Sequence, residues 1–377
     1  MFKRKKRTIQ LAAKLFSLLL FWGCYEIEET DLLNEGQCGV SYAELSASQI
    51  GLSIPRDETP MPVGLENHAM VASDSHAYIL GGLRQYTDGD NIDQSARSIL
   101  SDKVYAAPIG NDGVLGEWET LRPLPLPLQQ HSAVVLNGYI FVFGGLSIAG
   151  IILSDEVAWP YSEKVYGAKI KMDGTLDPWQ EYGTFPVGSS NLVQVYDSTI
   201  VATTEFGSVS KEVLIGSFSE YAGAFSWQQL SLPLSAQSHR AAFLDRYLVS
   251  VDDHGIIYTG SFDAMFDDWK ATGKTTRTET SGVGLTYFFA LCDTIVTIDS
   301  YASIIAVAPI TKDLAAKKIR TEKISLPTYS VTHVVAPNGR VYFSGGSKIS
   351  YTITDTSDNG SIPSVFSMGR VQTLDGR

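Results

Sequence analysis

Cysteine is scarce in this 377-residue chain, with copies only at Cys24, Cys38 and Cys292. No two form a Cys-x-x-Cys pair, so neither a dithiol redox motif nor a thiolate zinc site is indicated. Long apolar runs are also missing. The most apolar stretch, Leu15 to Gly23 (LFSLLLFWG), has nine residues, against the ~20 that a membrane-spanning helix needs. Positive charge is in deficit, with 29 Lys and Arg against 41 Asp and Glu and a formal charge of −12. Such a surface repels phosphate backbones and argues against nucleic acid as a partner. There is no GxSxG, HExxH, P-loop or Rossmann glycine motif in a suitable context, and no cofactor is implied.

The scarce basic residues are unevenly placed. Residues 1–23 hold six of them (Lys3, Arg4, Lys5, Lys6, Arg7, Lys14) and no acid, so the remainder of the chain carries −18. A basic start followed by a short apolar run is the pattern of an export signal. The run ends at Gly23-Cys24, with a leucine, Leu20, four residues upstream of the cysteine. This resembles a bacterial lipobox, although Phe21 and Trp22 are bulkier than the usual residues. The resemblance implies that residues 1–23 are removed, that Cys24 is lipidated, and that the protein is tethered to a membrane of the cell envelope, the outer membrane being expected. The polar stretch 24–48 then reads as a tether. Cys38 falls within it and Cys292 lies in the apolar run Tyr287 to Ile295, an arrangement that favours free thiols over one disulfide.

What the chain has in abundance is glycine (33), tyrosine (18) and phenylalanine (16), which suits many short strands joined by tight turns. One segment recurs almost in register: Lys103 to Pro125 (KVYAAPIGNDGVLGEWETLRPLP) and Lys164 to Pro186 (KVYGAKIKMDGTLDPWQEYGTFP). Strand, Asp-Gly turn, strand and proline exit make a hairpin signal, and its repetition means an array of similar units. Six first strands begin near His68, His131, Asn191, His239, Tyr287 and His333. Second strands follow, ending in Gly-Gly at Gly81-Gly82, Gly144-Gly145 and Gly345-Gly346. Tryptophans mark the fourth strands at Trp118, Trp179, Trp227 and Trp269. Prolines close units at Pro125, Pro186, Pro233 and Pro327 by blocking further pairing.

Six units of four antiparallel strands predict an all-β fold, a six-bladed β-propeller over residues 49–377; a β-sandwich array or a ring of five or seven blades is the alternative. The Gly-Gly pairs, the third-strand Tyr105 and Tyr166 and the fourth-strand tryptophans resemble the kelch-type, galactose-oxidase-like propeller family from about residue 60 onward. The likeness is clear in the first two units and eroded in units three to five, where TTEFG and VSVDD replace Gly-Gly. Ring closure has two candidates: Gln49 to Pro62 from the N-terminal side and Val365 to Leu374 from the C-terminal side.

In such a meander the second-to-third loop and the blade connection emerge on one face. Two long insertions fall there, Leu83 to Ser101 in unit one and Leu146 to Ser162 in unit two. Loops on a rigid scaffold are where binding usually resides. Arg84, Tyr86, Asp88, Asp90, Trp159 and Tyr161 are therefore candidate binding residues. His68, His131, His239 and His333 occupy one repeat position at the channel mouth on the same face. They either converge on a ligand or bond neighbouring blades as repeat residues; repetition favours the second, and no metal site is assigned. The DGDNID run lacks the glutamate-terminated loop of a calcium site.

The expected function is an exported, lipid-anchored propeller binding a protein or glycan through the loop face of blades one and two. The family resemblance also admits a cofactor-free carbohydrate enzyme of the sialic acid mutarotase type, using side chains such as His131, His239, Arg84 or Arg240. It disfavours a copper oxidase, because no cysteine lies near the mouth.

Overall fold

The structure is a computed structural model of the whole chain. It describes residues 47, 49, 51–52, 55–85, 98–147, 151–152, 161–186, 191–196, 198–204, 212–231, 240–244, 246–251, 256–274, 287–291, 293–299, 304–310, 320–324, 332–337, 339–345 and 365–368. Every helix or strand element among them is a strand.

The strands assemble into six four-stranded antiparallel blades. Blade one is Ala69–Ala72, His76–Leu80, Val104–Pro108 and Glu119–Thr120. Blade two is Ser132–Leu136, Tyr139–Phe143, Lys164–Lys169 and Gln180–Thr184. Blade three runs from Asn191–Tyr196 to Ala224–Ser231, blade four from Arg240–Leu244 to Lys270–Lys274, and blade five from Tyr287–Leu291 to Arg320–Lys323. The innermost strands neighbour one another around a closed ring, the last touching the first. This is the six-bladed propeller expected from the repeats.

Burial follows from the fan-like packing. Second strands lie between two blades and are buried on both faces, as in Tyr139–Phe143, where four consecutive residues are enclosed. Outer strands such as Glu119–Thr120 and Arg320–Lys323 face water and are polar. A run of consecutive apolar residues followed by a polar strand is thus one blade read from hub to rim.

The last blade uses both closure candidates. Thr332–Val335 and Val341–Ser344 are followed by Val365–Met368 as third strand, and Arg56–Asp57 pairs with it as the fourth. A buried polar knot secures the junction. Glu58 accepts from Arg56 Nε at 2.8 Å and from the Leu115 amide at 2.8 Å. It also takes the Ser367 hydroxyl proton, and Arg340 Nη2 donates to that hydroxyl at 2.5 Å. The chain is packed upstream of this strand as well: Ala47 and Leu52 are buried among Tyr287, Ile298, Val341 and Met368 of blades five and six. Packing therefore begins within the stretch read as a tether.

The repeated residues turn out to be links between blades. Tyr342 of blade six donates its hydroxyl to the carbonyl of Gly113 in the Asp-Gly turn of blade one, at 2.8 Å. Tyr78 of blade one does the same to Gly174 of blade two at 3.0 Å. The indole of Trp118 donates to the Thr59 carbonyl at 2.8 Å, and that of Trp179 to Arg122 at 3.2 Å. Leu121 stands where Glu58 would, and it packs apolar in the cluster that contains Leu176. The covalently continuous junction is greasy; the closing one is charged. Between blades two and three the polar links give way to an aromatic cluster, with Phe141 edge-on to Tyr182 and Phe225 at 5.4 and 4.9 Å.

Candidate functional site

The two insertions meet in a seventh sheet. Leu83–Gln85 pairs antiparallel with Ser98–Leu100, and Ile151–Ile152 from the second insertion pairs with the other edge of Ser98–Leu100. Backbone bridges Glu66 to Leu83, Gln129 to Leu146, and Leu146 to Tyr161 tie this platform to the blade connections. Leu83 and Leu100 are buried and seat it on the ring. Two insertions that are distant in sequence thus form one raised structure on the loop face beside blades one and two.

Of the candidate residues, Arg84 lies half-buried in the first platform strand. Burial pushes the Tyr105 phenol upward, and the Arg84 charge opposes that shift. Tyr161 stands 56% exposed at the base of the second insertion. Tyr86, Asp88, Asp90, Trp159 and His239 lie outside the described residues, as do Cys24, Cys38, Cys292 and the Asp252-Asp253-His254 run.

Two of the repeat histidines sit inside the ring wall. His68 and His131 are buried, and their rings rest over the first glycine of the preceding blade's Gly-Gly pair. A Cβ built on Gly345 would come 2.5 Å from His68 Cε1, and one on Gly81 would come 2.7 Å from His131 Cε1. The second glycine of each histidine's own blade makes the mirror contact: a Cβ on Gly82 or Gly145 would fall 2.8 or 2.6 Å from the Cβ of His68 or His131. The Gly-Gly pair is therefore the seat for two successive histidines, and positive φ at both glycines (61° and 101° for Gly81 and Gly82) turns the backbone away from them.

His68 Nε2 bonds the Ser344 hydroxyl at 2.7 Å. Blade one has Leu80 at the corresponding place, and neither ring nitrogen of His131 has a hydrogen-bond partner. Desolvation lowers His68 to about 3, helped by the neighbouring charge of His131; the Leu65 carbonyl beside the ring opposes this but misses hydrogen-bond geometry. Desolvation lowers His131 to about 4, with the Leu80 carbonyl opposing. Both are neutral rings at pH 7. His333 is half-buried against Phe289 and Phe343, at centroid distances of 5.5 and 6.0 Å. Among the described residues no group of three or more His, Cys, Asp or Glu could hold a metal.

Sequence reasoning passed over the amides just ahead of these histidines. Asn67 and Gln130 both adopt φ of 51°, uncommon without glycine. The Gln130 amide donates to the Asn67 carbonyl at 2.8 Å, and Asn67 Nδ2 donates to Gln129 Oε1 at 3.3 Å. Asn67 and Gln130 are exposed, at the mouth between blades one and two and next to the platform base. Carboxamides donate and accept together, which suits hydroxyl-rich or peptide ligands. The signal was present in ENH and QQH, two polar triplets aligned on the repeat histidine.

No family model matches the chain. A 98-residue segment is 29% identical to Kelch repeat and BTB domain-containing protein 12 of Danio rerio. It covers 26% of this chain and 14% of that relative. The solved structure of YjhT superposes with a TM-score of 0.52 over 82% of this chain and 96% of its own, at 12% identity, a likeness of fold. Together these support the kelch-repeat character and the propeller architecture read from the sequence.

Proposed function

We propose that the protein is an interaction module, exported and anchored by lipid at Cys24 to the envelope, probing its surroundings with the loop face of blades one and two. Its ligand is a protein or a glycan. The observation that carries the reading is the shared platform sheet: strand pairing between the two insertions joins Leu83–Gln85, Ser98–Leu100 and Ile151–Ile152 into one raised surface on the loop face. Irregular loops that merely accumulate have no reason to pair across blades. The kelch-repeat likeness of a 98-residue segment is compatible with this use of the fold. The exposed amides of Asn67 and Gln130 and the ring of Tyr161 lie along the same edge.

The test is a panel of glycans, sialic acid included, presented to the full chain in detergent, with chemical crosslinking of intact envelopes run in parallel. Replacing 86–97 and 153–160 by Gly-Ser stretches should abolish any saturable binding or crosslink found. Undiminished binding by that variant would refute the loop-face reading. Catalysed anomeric exchange of a free sugar, seen by NMR, would replace a binding role by an enzymatic one.

A further inference from the structure

Among the described residues, four large apolar side chains are markedly exposed: Val114 (39%), Tyr161 (56%), Met172 (103%) and Tyr221 (103%). Tyr161 belongs to the loop face. Met172 and Tyr221 occupy one repeat position, two residues before the glycine of the third-to-fourth-strand turn, on the adjacent blades two and three, and Val114 follows the glycine of the same turn in blade one. Turn residues in water are ordinarily polar, so a complete Met and a complete Tyr side chain at adjacent tips call for a partner.

The turn face carries further features of the same kind. Tyr139 opens the second strand of blade two with Lys169 Nζ 5.6 Å above its ring. Tyr247 opens that of blade four with the Arg246 guanidinium at 5.7 Å. Arg246 also pairs with Asp263 at 2.9 Å, and tyrosine beside a long basic side chain is a combination found at membrane–water interfaces.

The direction of the closing strand identifies the occupant. Arg56 pairs with Ser367 and Asp57 with Phe366, and the Glu58 amide then bonds the Val365 carbonyl. Val365–Met368 runs from the loop face to the turn face, so the chain through residues 56–58 rises from the turn face. The chain therefore enters its closing strand at Arg56 from the side that bears Met172 and Tyr221.

We infer that the turn face of blades one to four lies against a lipid bilayer, with Met172 and Tyr221 entering the interface and the platform directed away from it. The inference rests on the anchoring proposed above. The anchor supplies proximity; the two tips set which way up the propeller sits. An apolar contact beside a lipid anchor adds its own buried area to the attachment and fixes the orientation.

The test uses the full chain with Cys38→Ser and Cys292→Ser, reconstituted into vesicles of phosphatidylethanolamine and phosphatidylglycerol. Spin labels are placed singly at Met172→Cys, Tyr221→Cys and Tyr161→Cys, all exposed sites that leave the core untouched. Labels at 172 and 221 should collide more with dissolved oxygen than with a water-soluble nickel chelate, and the label at 161 should show the reverse. Protein that stays on vesicles through an alkaline wash with all three labels equally open to the chelate would overturn the orientation while leaving the anchor intact. A buried label at 161 with open labels at 172 and 221 would overturn it as well. Protein lost in the wash would sink the anchor and the orientation together.

Discussion

Glu58 closes the ring, and Glu58→Ala should be the most costly single change at the junction between blades six and one. Its side chain is wholly enclosed. It gathers Arg56, the Leu115 amide and the Ser367 hydroxyl, and through Ser367 it reaches the guanidinium of Arg340. Burial pulls Arg340 below its ordinary value, with the Arg56 charge adding to the effect, so this cation depends on nearby carboxylate. Removing one partner of a buried ion pair costs about 3–5 kcal/mol, because the remaining charge is left in a poor solvent. Arg56 is 38% exposed and can turn to water, which points to the lower end, about 3 kcal/mol. For a domain this large that corresponds to roughly 4–5 °C in Tm. Thermal melts of the full chain in detergent measure it, with Lys164→Ala as the comparison. Lys164 and Glu181 form an equally short pair, but both side chains are 47% exposed, so its loss should leave Tm unmoved. A Glu58→Ala melt coincident with the wild-type one would refute the view that the charged knot holds the propeller shut.

Tyr78→Phe removes the bond to the Gly174 carbonyl while keeping the ring in place; urea unfolding should register a loss of about 1 kcal/mol, and an unchanged midpoint would mean that the carbonyl finds another donor. Gly145→Ala brings a methyl within 2.6 Å of His131 at a φ of 91°, and the melt should reveal at least about 2 kcal/mol of destabilisation from strain and overpacking. Stability should also depend on pH through His68 and His131. Both are lowered in the folded state, to about 3 and about 4, from the ordinary histidine value of 6.5. The unfolded chain therefore binds more protons between those values, and stability is fully present above pH 6.5 and falls as pH drops toward 4, by up to about 1.4 kcal/mol per unit for each ring. Melts across that range should lose most of this slope in the His68→Asn, His131→Asn double variant; a slope that persists would assign it to other groups.

Much of the ring was legible because its signals are local. Alternating apolar runs, Asp112-Gly113 and Asp173-Gly174 turns and the Gly-Gly pairs each act within a window of a few residues, where strand pleat and left-handed turn geometry are decided. The platform was foreseen only as two separate insertions. That Ile152 would pair with Ser98 depends on the angle between blades one and two, which no short stretch encodes. The two closure segments looked like competitors because each carries a strand pattern; the ring needed both, one as third strand and one as fourth.

The sequence by itself determined the repeat, the strand count per blade and the turn types, since these follow from side-chain period and backbone sterics. Only the tertiary structure decided what the repeated residues are for. Tyr342 reaches Gly113 across 229 positions and Ser367 reaches Glu58 across 309. Such pairs exist only once the blades are wrapped into a ring. The histidines that share one repeat position, read as residues bonding neighbouring blades, gain their setting in the same way: His68 and His131 lie over the glycines of the blade before, a seat made by neighbours far away in the chain.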